Sequence, residues 1–385
     1  MPRLADVIAV LDAWFDPRWA EPWDAVGLVC GDPGEPVERI LLAVDAVPAT
    51  VQEAVSAGAQ LLLSHHPLLL TPAHGVPADD PKGNLVHRLI RAGVGLFVAH
   101  TNADVADPGV SDALAACLGI THLRPLAAQS EQPMDKLVVY VPVDDAQRLV
   151  DALAAAGAGS IGNYGRCAWL TEGTGTFRPR DGAMPAIGHV GRVERVEETR
   201  VEMVVPTRLR GEVVAALRST HPYEEPAFDL LTRSPSASRR GLGRIGELPG
   251  ALTLREFTAH AARTLPATVW GVRAAGDPER PVRTVAVAGG ACGALAEPAR
   301  QAGADALLTA DLKHHHVVEA VSERGGKAMA LVDAAHWATE APWLDALAVR
   351  LRERFGTTVE IIVSRRVTDP WTMHAPSEET RPMST

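Results

Sequence analysis

The sequence predicts an α/β protein: a mostly parallel-sheet unit split by an inserted ferredoxin-like α+β domain. Helix-like and strand-like hydrophobic patterns alternate from Leu4 to Leu118 and again from Leu254 onward. Between them the order becomes strand, helix, strands, helix, strand. Strands separated by helices make βαβ units and a largely parallel sheet, and the intervening order is that of a ferredoxin-like module. Several apolar runs, far apart in sequence, also end in histidine or carboxylate. In α/β sheets the carboxyl edge of the strands is where ligands bind.

Each element follows from its pattern. Leu4, Val7, Ile8, Leu11 and Phe15 recur at helical spacing, so one face of a helix is apolar. Arg39–Asp45 reads as a strand, Thr50–Ala57 as a helix, Gln60–Leu63 as a strand, Asn84–Arg91 as a helix and Val94–Ala99 as a strand. Ser111–Leu118 reads as a helix that Ser111 could cap. Leu137–Val143 is β-rich and Ala146–Ala156 is helical, ending at Gly157. A Gly- and Arg-rich stretch runs to about Gly191, then a strand over Glu198–Val205 and a helix over Arg208–Arg218. Pro235–Gly246, rich in Ser, Arg and Gly, reads as the linker back into the first unit. The expected divisions are 1–129 and 241–374 for the two halves of the metal-binding unit, 130–240 for the insert, and 375–385 for a polar, disordered tail.

Composition narrows the function. The 385 residues are 46% hydrophobic and 22% charged, as in ordinary globular proteins. A net charge of −10 argues against nucleic acid as a partner, because phosphate binding needs a basic footprint. The four cysteines are scattered without a C-x-x-C pair, which argues against a disulfide framework or a zinc finger and fits a reducing cytoplasm. No signal peptide is evident at the amino end. No apolar run approaches the roughly 18 residues of a membrane span.

The chemistry-bearing residues stand at strand ends. Leu61-Leu62-Leu63 runs through Ser64 into His65-His66-Pro67; Gly95–Ala99 runs into His100 and on to Asp104; Ala328–Val332 runs into Asp333 and His336, with Glu340 following. Adjacent side chains at a strand end diverge, so His65 and His66 suit two neighbouring metals better than one. Asp104, on a segment holding Asn102 and Pro108, is expected on a loop. His336 and Glu340 share one face if the chain turns helical there, and a carboxylate such as Glu340 can bridge two cations. Nitrogen and carboxylate ligands without thiolate suit Zn, Fe or Mn. The alternative for any one of these residues is a structural or surface role; the joint pattern points to a metal site. His74, His87, His189, His260 and His374 lack ligand-type neighbours and keep that structural reading, whereas His314-His315-His316 follows a further strand end and Asp311. Gly289–Gly293 could offer amides to an anion, although it is neither a full G-x-G-x-x-G nor a P-loop.

These stretches together resemble the Nif-three-like family of GTP cyclohydrolase 1 type 2 homologs with a dinuclear metal centre. The resemblance rests on Trp23–Leu28 with Gly31-Asp32, Ser64–Leu68, His100–Asp104, Gly241–Leu248, Thr309–His315 and Asp333–His336 with Thr339-Glu340. Ala310 and Ala335 stand where the family often has glycine. The resemblance implies that His65, His66, Asp104, His336 and Glu340 ligate two divalent metal ions, with His100 close by. It also implies a homohexamer and a PII/CutA-like insert, whose signature is similar to His221–Pro226. The chemistry of a two-metal centre suits hydrolysis of a nucleotide-like or small anionic substrate, with His100 or His315 moving the proton and Lys313 or Arg244 helping to neutralise the anion. The other reading is a non-catalytic regulatory assembly that senses a metabolite through the insert.

Overall fold

The computed structural model describes residues 1–130, 133–234, 237–322 and 329–375. Of the expected tail, all but Ala375 lies outside the described residues. The chain divides into two compact units, Met1–Gln129 with Arg239–Thr385, and Ser130–Ser238.

The first unit contains two sheets rather than one. The first sheet runs Gly27–Cys30, Gly95–Val98, Leu61–Ser64, Arg39–Ala43, Glu360–Val363. Its pairings are parallel except for the edge strand Gly27–Cys30. The second runs Val272–Ala275, Ala330–Ala334, Ala306–Ala310, Pro281–Val287, Ala237–Thr253, Thr121–Ser130. Ala330–Ala334, Ala306–Ala310 and Pro281–Val287 pair in parallel, and Val272–Ala275 and Ala237–Thr253 join them antiparallel. The single sheet expected from the βαβ pattern is therefore corrected to two, each parallel at its centre with antiparallel strands joined to it. The alternation of helix and strand specifies the parallel centre, whereas the antiparallel edges come from short or Gly-rich segments with little apolar signal.

Strand periodicity explains the core. Leu61 and Leu63, with Ile40 and Leu42, point to one side of the first sheet, and Leu62 and Leu41 to the other. Both sides are covered, so the run is apolar throughout rather than alternating. On one side lie Val51 and Ala54 of the helix Pro48–Ser56 and Leu85, Val86 and Leu89 of the helix Pro81–Arg91. On the other lie Leu4, Val7 and Leu11 of Leu4–Trp14, Leu114 of Val110–Cys117, and Trp343, Leu344, Leu347 and Leu351 of His336–Phe355. The same cluster contains Val285, Leu308 and Val332 from the second sheet. The helix His336–Phe355 is thus held within the core shared by both sheets, and each fully buried large side chain contributes about 1.5–3 kcal/mol.

Three local expectations are corrected. Ser111 is inside its helix; Gly109 is the cap, and its N–H donates to Asp112 at 2.7 Å. Asp104 closes a short helix, Thr101–Asp104, rather than lying on a loop. The supposed linker from Ala237 onward is the first part of the 17-residue strand Ala237–Thr253, while Pro235 and Ser236 lie outside the described residues. There glycine serves packing: a Cβ on Gly246 would stand 2.3 Å from the Thr121 carbonyl oxygen. Composition reads such a segment as a linker because the constraint comes from the neighbouring strand.

The second unit has the order strand, helix, strand, strand, helix, strand, with spatial order Ala168–Phe177, Glu194–Pro206, Met134–Pro142, Phe228–Thr232. All its pairings are antiparallel. Leu137, Val139, Val141, Val201, Met203 and Val205 pack against Leu149, Val150, Leu153, Val213 and Leu217 of the helices Ala146–Ala155 and Arg210–Thr220. The strand Ala168–Phe177 carries no apolar alternation and is largely exposed, which is why its extent escapes a reading of hydrophobic pattern.

Candidate metal centre

The strand Leu61–Ser64 delivers two imidazoles to its carboxyl end. The amides of His65 and His66 both donate to the Val44 carbonyl, at 3.1 and 2.8 Å, which turns the chain sharply. The neighbouring strand Gly95–Val98 delivers His100 and Asp104, and the strand Ala330–Ala334 leads into the helix that begins at His336. One helical turn separates His336 from Glu340, which stacks them on one face as their spacing predicts.

Every one of these histidines is held at Nδ1 by an acceptor. His65 Nδ1 donates to the Ala99 carbonyl at 2.8 Å, His66 Nδ1 to Asp45 at 2.7 Å, His100 Nδ1 to Asp24 at 2.8 Å and His336 Nδ1 to Asp311 at 2.7 Å. Such partners fix the ring and its tautomer, and leave Nε2 available to a metal ion. The Nε2 atoms converge on Glu340. His336 Nε2 is 3.0 Å from Oε1 and His66 Nε2 is 3.0 Å from Oε2, with His65 Nε2 at 3.5 Å from Oε1. Asp104 Oδ1 approaches His65 Nε2 at 3.6 Å. His65, His66 and His100 form one group able to hold a metal ion, and His66, His336 and Glu340 another.

Two features mark this as a ligand cradle rather than a salt-bridge network. His65 Nε2, Asp104 Oδ1 and Glu340 Oε2 are buried without any hydrogen-bond partner, although Glu340 Oε2 is close to His66. Proximity without hydrogen-bond geometry is what side chains aimed at a common third body produce. Orphaned buried polar atoms cost about 1–3 kcal/mol each, more when charged, so they call for a cation. The second feature is Gly290, with φ +68°, where a Cβ would lie 2.6 Å from Glu340 Oε1 and 3.1 Å from His336 Nε2. Glycine there keeps the cradle open.

The charges are strongly coupled. Burial disfavours charged imidazole at His65, His66 and His336, but Glu340 together with Asp104, Asp45 and Asp311 outweighs it and raises all of them, His66 to about 11 and His336 to about 9. Burial would raise Glu340, yet the surrounding imidazoles hold it well below the ordinary carboxylate range. Asp104 is raised, by burial first. Asp24 is lowered despite its burial, because His100 and Thr101 donate to it.

Other sequence-predicted residues fall elsewhere. His315 is exposed on the helix His314–Val321, its ring against His314, and Lys313 is exposed at that helix's cap. Arg244 is 2% exposed and spends its guanidinium on Asp112 and on the carbonyls of Ala106, Gly241 and Gly243. It is structural, not a free cation for substrate. The Gly290 and Cys292 amides donate to Thr339 and Thr309 hydroxyls, so they are committed within the protein. Sequence reasoning misses Asp24, Asp45 and Asp311, although each carries a signal: Asp24 and Asp311 lie in the family-like stretches, and Asp45 ends a predicted strand. Asp311 has φ +54°, a left-handed conformation that Asp tolerates better than most residues.

The fold and the cluster define a mixed α/β protein with a buried His/carboxylate site that could hold a metal ion. The chain belongs to the Duf34/NIF3 (NGG1p interacting factor 3) family, whose model matches residues 2–370. It is 51% identical over 374 residues to a Mycobacterium tuberculosis protein named GTP cyclohydrolase 1 type 2 homolog, covering 96% of this chain and 97% of that one. A Bacillus subtilis protein of the same name is 34% identical over 371 residues, covering 95% and 97%. A crystal structure of a Bacillus cereus protein related to NIF3 matches with a TM-score of 0.74 at 34% identity, over 97% of this chain and 99% of that one. A Staphylococcus aureus protein matches with a TM-score of 0.80 at 27% identity, with the same coverage. No described helix is long and apolar enough to cross a membrane.

Proposed function

We propose that the cluster holds two divalent cations, with His65, His66, Asp104, His336 and Glu340 as ligands, and that the protein is a metal-dependent hydrolase. The observation that carries this reading is the convergence of orphaned buried atoms, His65 Nε2, Asp104 Oδ1 and Glu340 Oε2, on one cradle. Bound there, Zn, Fe or Mn would supply a Lewis acid and lower the pKa of a coordinated water. Glu340 offers both oxygens to different histidine neighbours, the arrangement a bridging ligand needs. Asp45 and Asp311 hold His66 and His336 in their ligating orientation. His100, with Nδ1 engaged by Asp24 and its ring beside His65 and His66, is not among the five ligands and would take or return a proton at Nε2; its exposed counterpart His315 lacks such a setting.

The substrate class follows from charge. A cationic centre in an acidic protein attracts small anions, and the name that the relatives carry points to a purine nucleotide. The test is a turnover screen of the metal-loaded protein against GTP, other nucleotides, phosphoesters and cyclic amides, with His66→Ala as control. Hydrolysis of a member of this panel that rises with pH through neutrality and is lost in His66→Ala supports the proposal. Neither turnover nor binding of any member would overturn it.

We infer further that Ser130–Ser238 is an independently folding, PII/CutA-like insert. Its own hydrophobic core and its strand order support this. Replacing residues 132–239 by a short linker is expected to leave a folded protein that retains its metal; loss of all metal would refute it. The assembly is expected to be a homohexamer, as the family resemblance implies, which sedimentation velocity would check.

A further inference from the structure

The Ser130–Ser238 unit carries a cavity of about 590 Å³ on the sheet face opposite its helices. Its floor and walls include Tyr140, Phe177, Glu198, Ile187 and Tyr223. In the strand Glu194–Pro206, Val201, Met203 and Val205 point toward the helices. By strand alternation Glu198 and Arg200 therefore point to the other face. That places a carboxylate at the bottom of a hollow that is also lined by the Phe177 and Tyr223 rings, by Glu172, Glu224 and Glu225, and by Arg178 and Arg200.

Glu198 is unusual for a surface strand. It is only 9% exposed, and it is buried because its cross-strand surroundings are glycine. Gly173 stands directly opposite Glu198, and a Cβ at Gly175 would lie 2.0 Å from Glu198 Oε2. Glycine at position 175 thus makes room for the carboxylate. The Tyr223 hydroxyl donates to Oε1 at 2.9 Å. Burial and the Glu198 carboxylate push the Tyr223 phenol above its ordinary value, so it stays a donor. Oε2 has no hydrogen-bond or ion-pair partner among the described residues. Arg200, on the same face, is engaged by Glu202 at 2.8 Å, and Arg178 is exposed at the rim.

We propose that this cavity is a binding site for a small organic cation, an amine carried on an apolar or aromatic body. Glu198 is mostly buried, and a charged carboxylate held there is stabilised by an opposite charge within its reach. The Phe177 and Tyr223 rings, 5.7 Å apart, offer faces for cation–π and apolar contact. A bare metal ion does not fit as well: among the described residues, the groups of three or more potential ligands all lie in the metal centre. Four carboxylates, Glu172, Glu198, Glu224 and Glu225, line the hollow against two guanidiniums, Arg178 and Arg200, and Arg200 is already paired with Glu202, so the balance disfavours an anion. The site would therefore select the opposite charge from the anionic substrate proposed for the metal centre.

The test is calorimetric titration of the metal-loaded full chain with 2-phenylethylamine, 2-phenylethanol and phenylacetate, matched in shape and differing in charge. The amine is expected to bind at least tenfold more tightly than the alcohol, with phenylacetate weaker still. Glu198→Gln should remove that preference while metal content and far-UV circular dichroism stay unchanged. Ile187→Lys, at a partly exposed wall position, is a second variant that places a cation in the cavity without disturbing Glu198, and should also abolish amine binding. The proposal is overturned if the amine binds no better than the alcohol, or if its preference survives both variants. It is likewise overturned if the preference disappears on metal removal rather than on substitution of Glu198, because the amine would then be reporting on the metal centre.

Discussion

Gly290→Ala separates two costs that are usually confounded. At Gly290 the backbone has φ +68°, and an added Cβ would sit 2.6 Å from Glu340 Oε1. Ordinary contact begins near 3.4 Å, so Glu340 would have to retreat by 3.4 − 2.6 = 0.8 Å. Metal–ligand distances tolerate only about 0.2 Å, so the variant should lose metal affinity by about 10- to 100-fold, the range seen when ligand-supporting residues are removed. The left-handed backbone adds about 1–2 kcal/mol of strain for a residue with a Cβ. Gly271 supplies the control, since it has the same φ of +68° and a Cβ added there would meet nothing within 4 Å. Gly271→Ala should therefore lower the melting temperature by a similar strain increment while leaving metal binding intact. The assay is competitive chelator titration beside thermal unfolding for both variants. Equal metal affinity in Gly290→Ala, Gly271→Ala and the parent protein would refute the cradle.

Four further outcomes follow from the same geometry. Elemental analysis should find close to two metals per chain; Glu340→Ala should lose both and His65→Ala mainly one, and equal, complete loss in both variants would remove Glu340 from the bridging role. Metal uptake should release protons near neutrality, because without metal His66 and His336 stay protonated up to about 11 and about 9; apparent affinity should thus rise with pH toward 9, and a flat profile would contradict this. In the metal-free protein these raised imidazoles contribute stability that is fully present below their ordinary 6.5 and lost as pH rises through about 9 to 11. Glu340, lowered, contributes stability present above 4.5 and lost as pH falls through its depressed value, so denaturant midpoints of the chelated protein should decline on both sides. Finally, Arg244→Ala should destabilise the first unit by about 3–5 kcal/mol, because it strands Asp112 and buried carbonyls; a loss under about 1 kcal/mol, the scale of an exposed ion pair, would show that the guanidinium is not structural.

Which residues carry chemistry, and the class of the fold, are legible in the chain before it folds. Apolar runs such as Leu61–Leu63 must be buried, so whatever follows them is delivered to a sheet edge, and the spacing of His336 and Glu340 puts both on one helical face. These are local consequences of periodicity and need no knowledge of the rest of the chain. Relations between segments emerge only once the elements have packed. Asp24, Asp45 and Asp311 become partners of His100, His66 and His336 across separations that no pattern encodes. Ala237–Gly246 reads as a linker until its neighbouring strands are present, because glycine there answers to a close backbone rather than to flexibility. Arg244 reads as a free cation until the fold surrounds it with carbonyls. Periodicity records which face of an element is apolar, but the identity of what lies against that face is set by packing between elements remote in the chain.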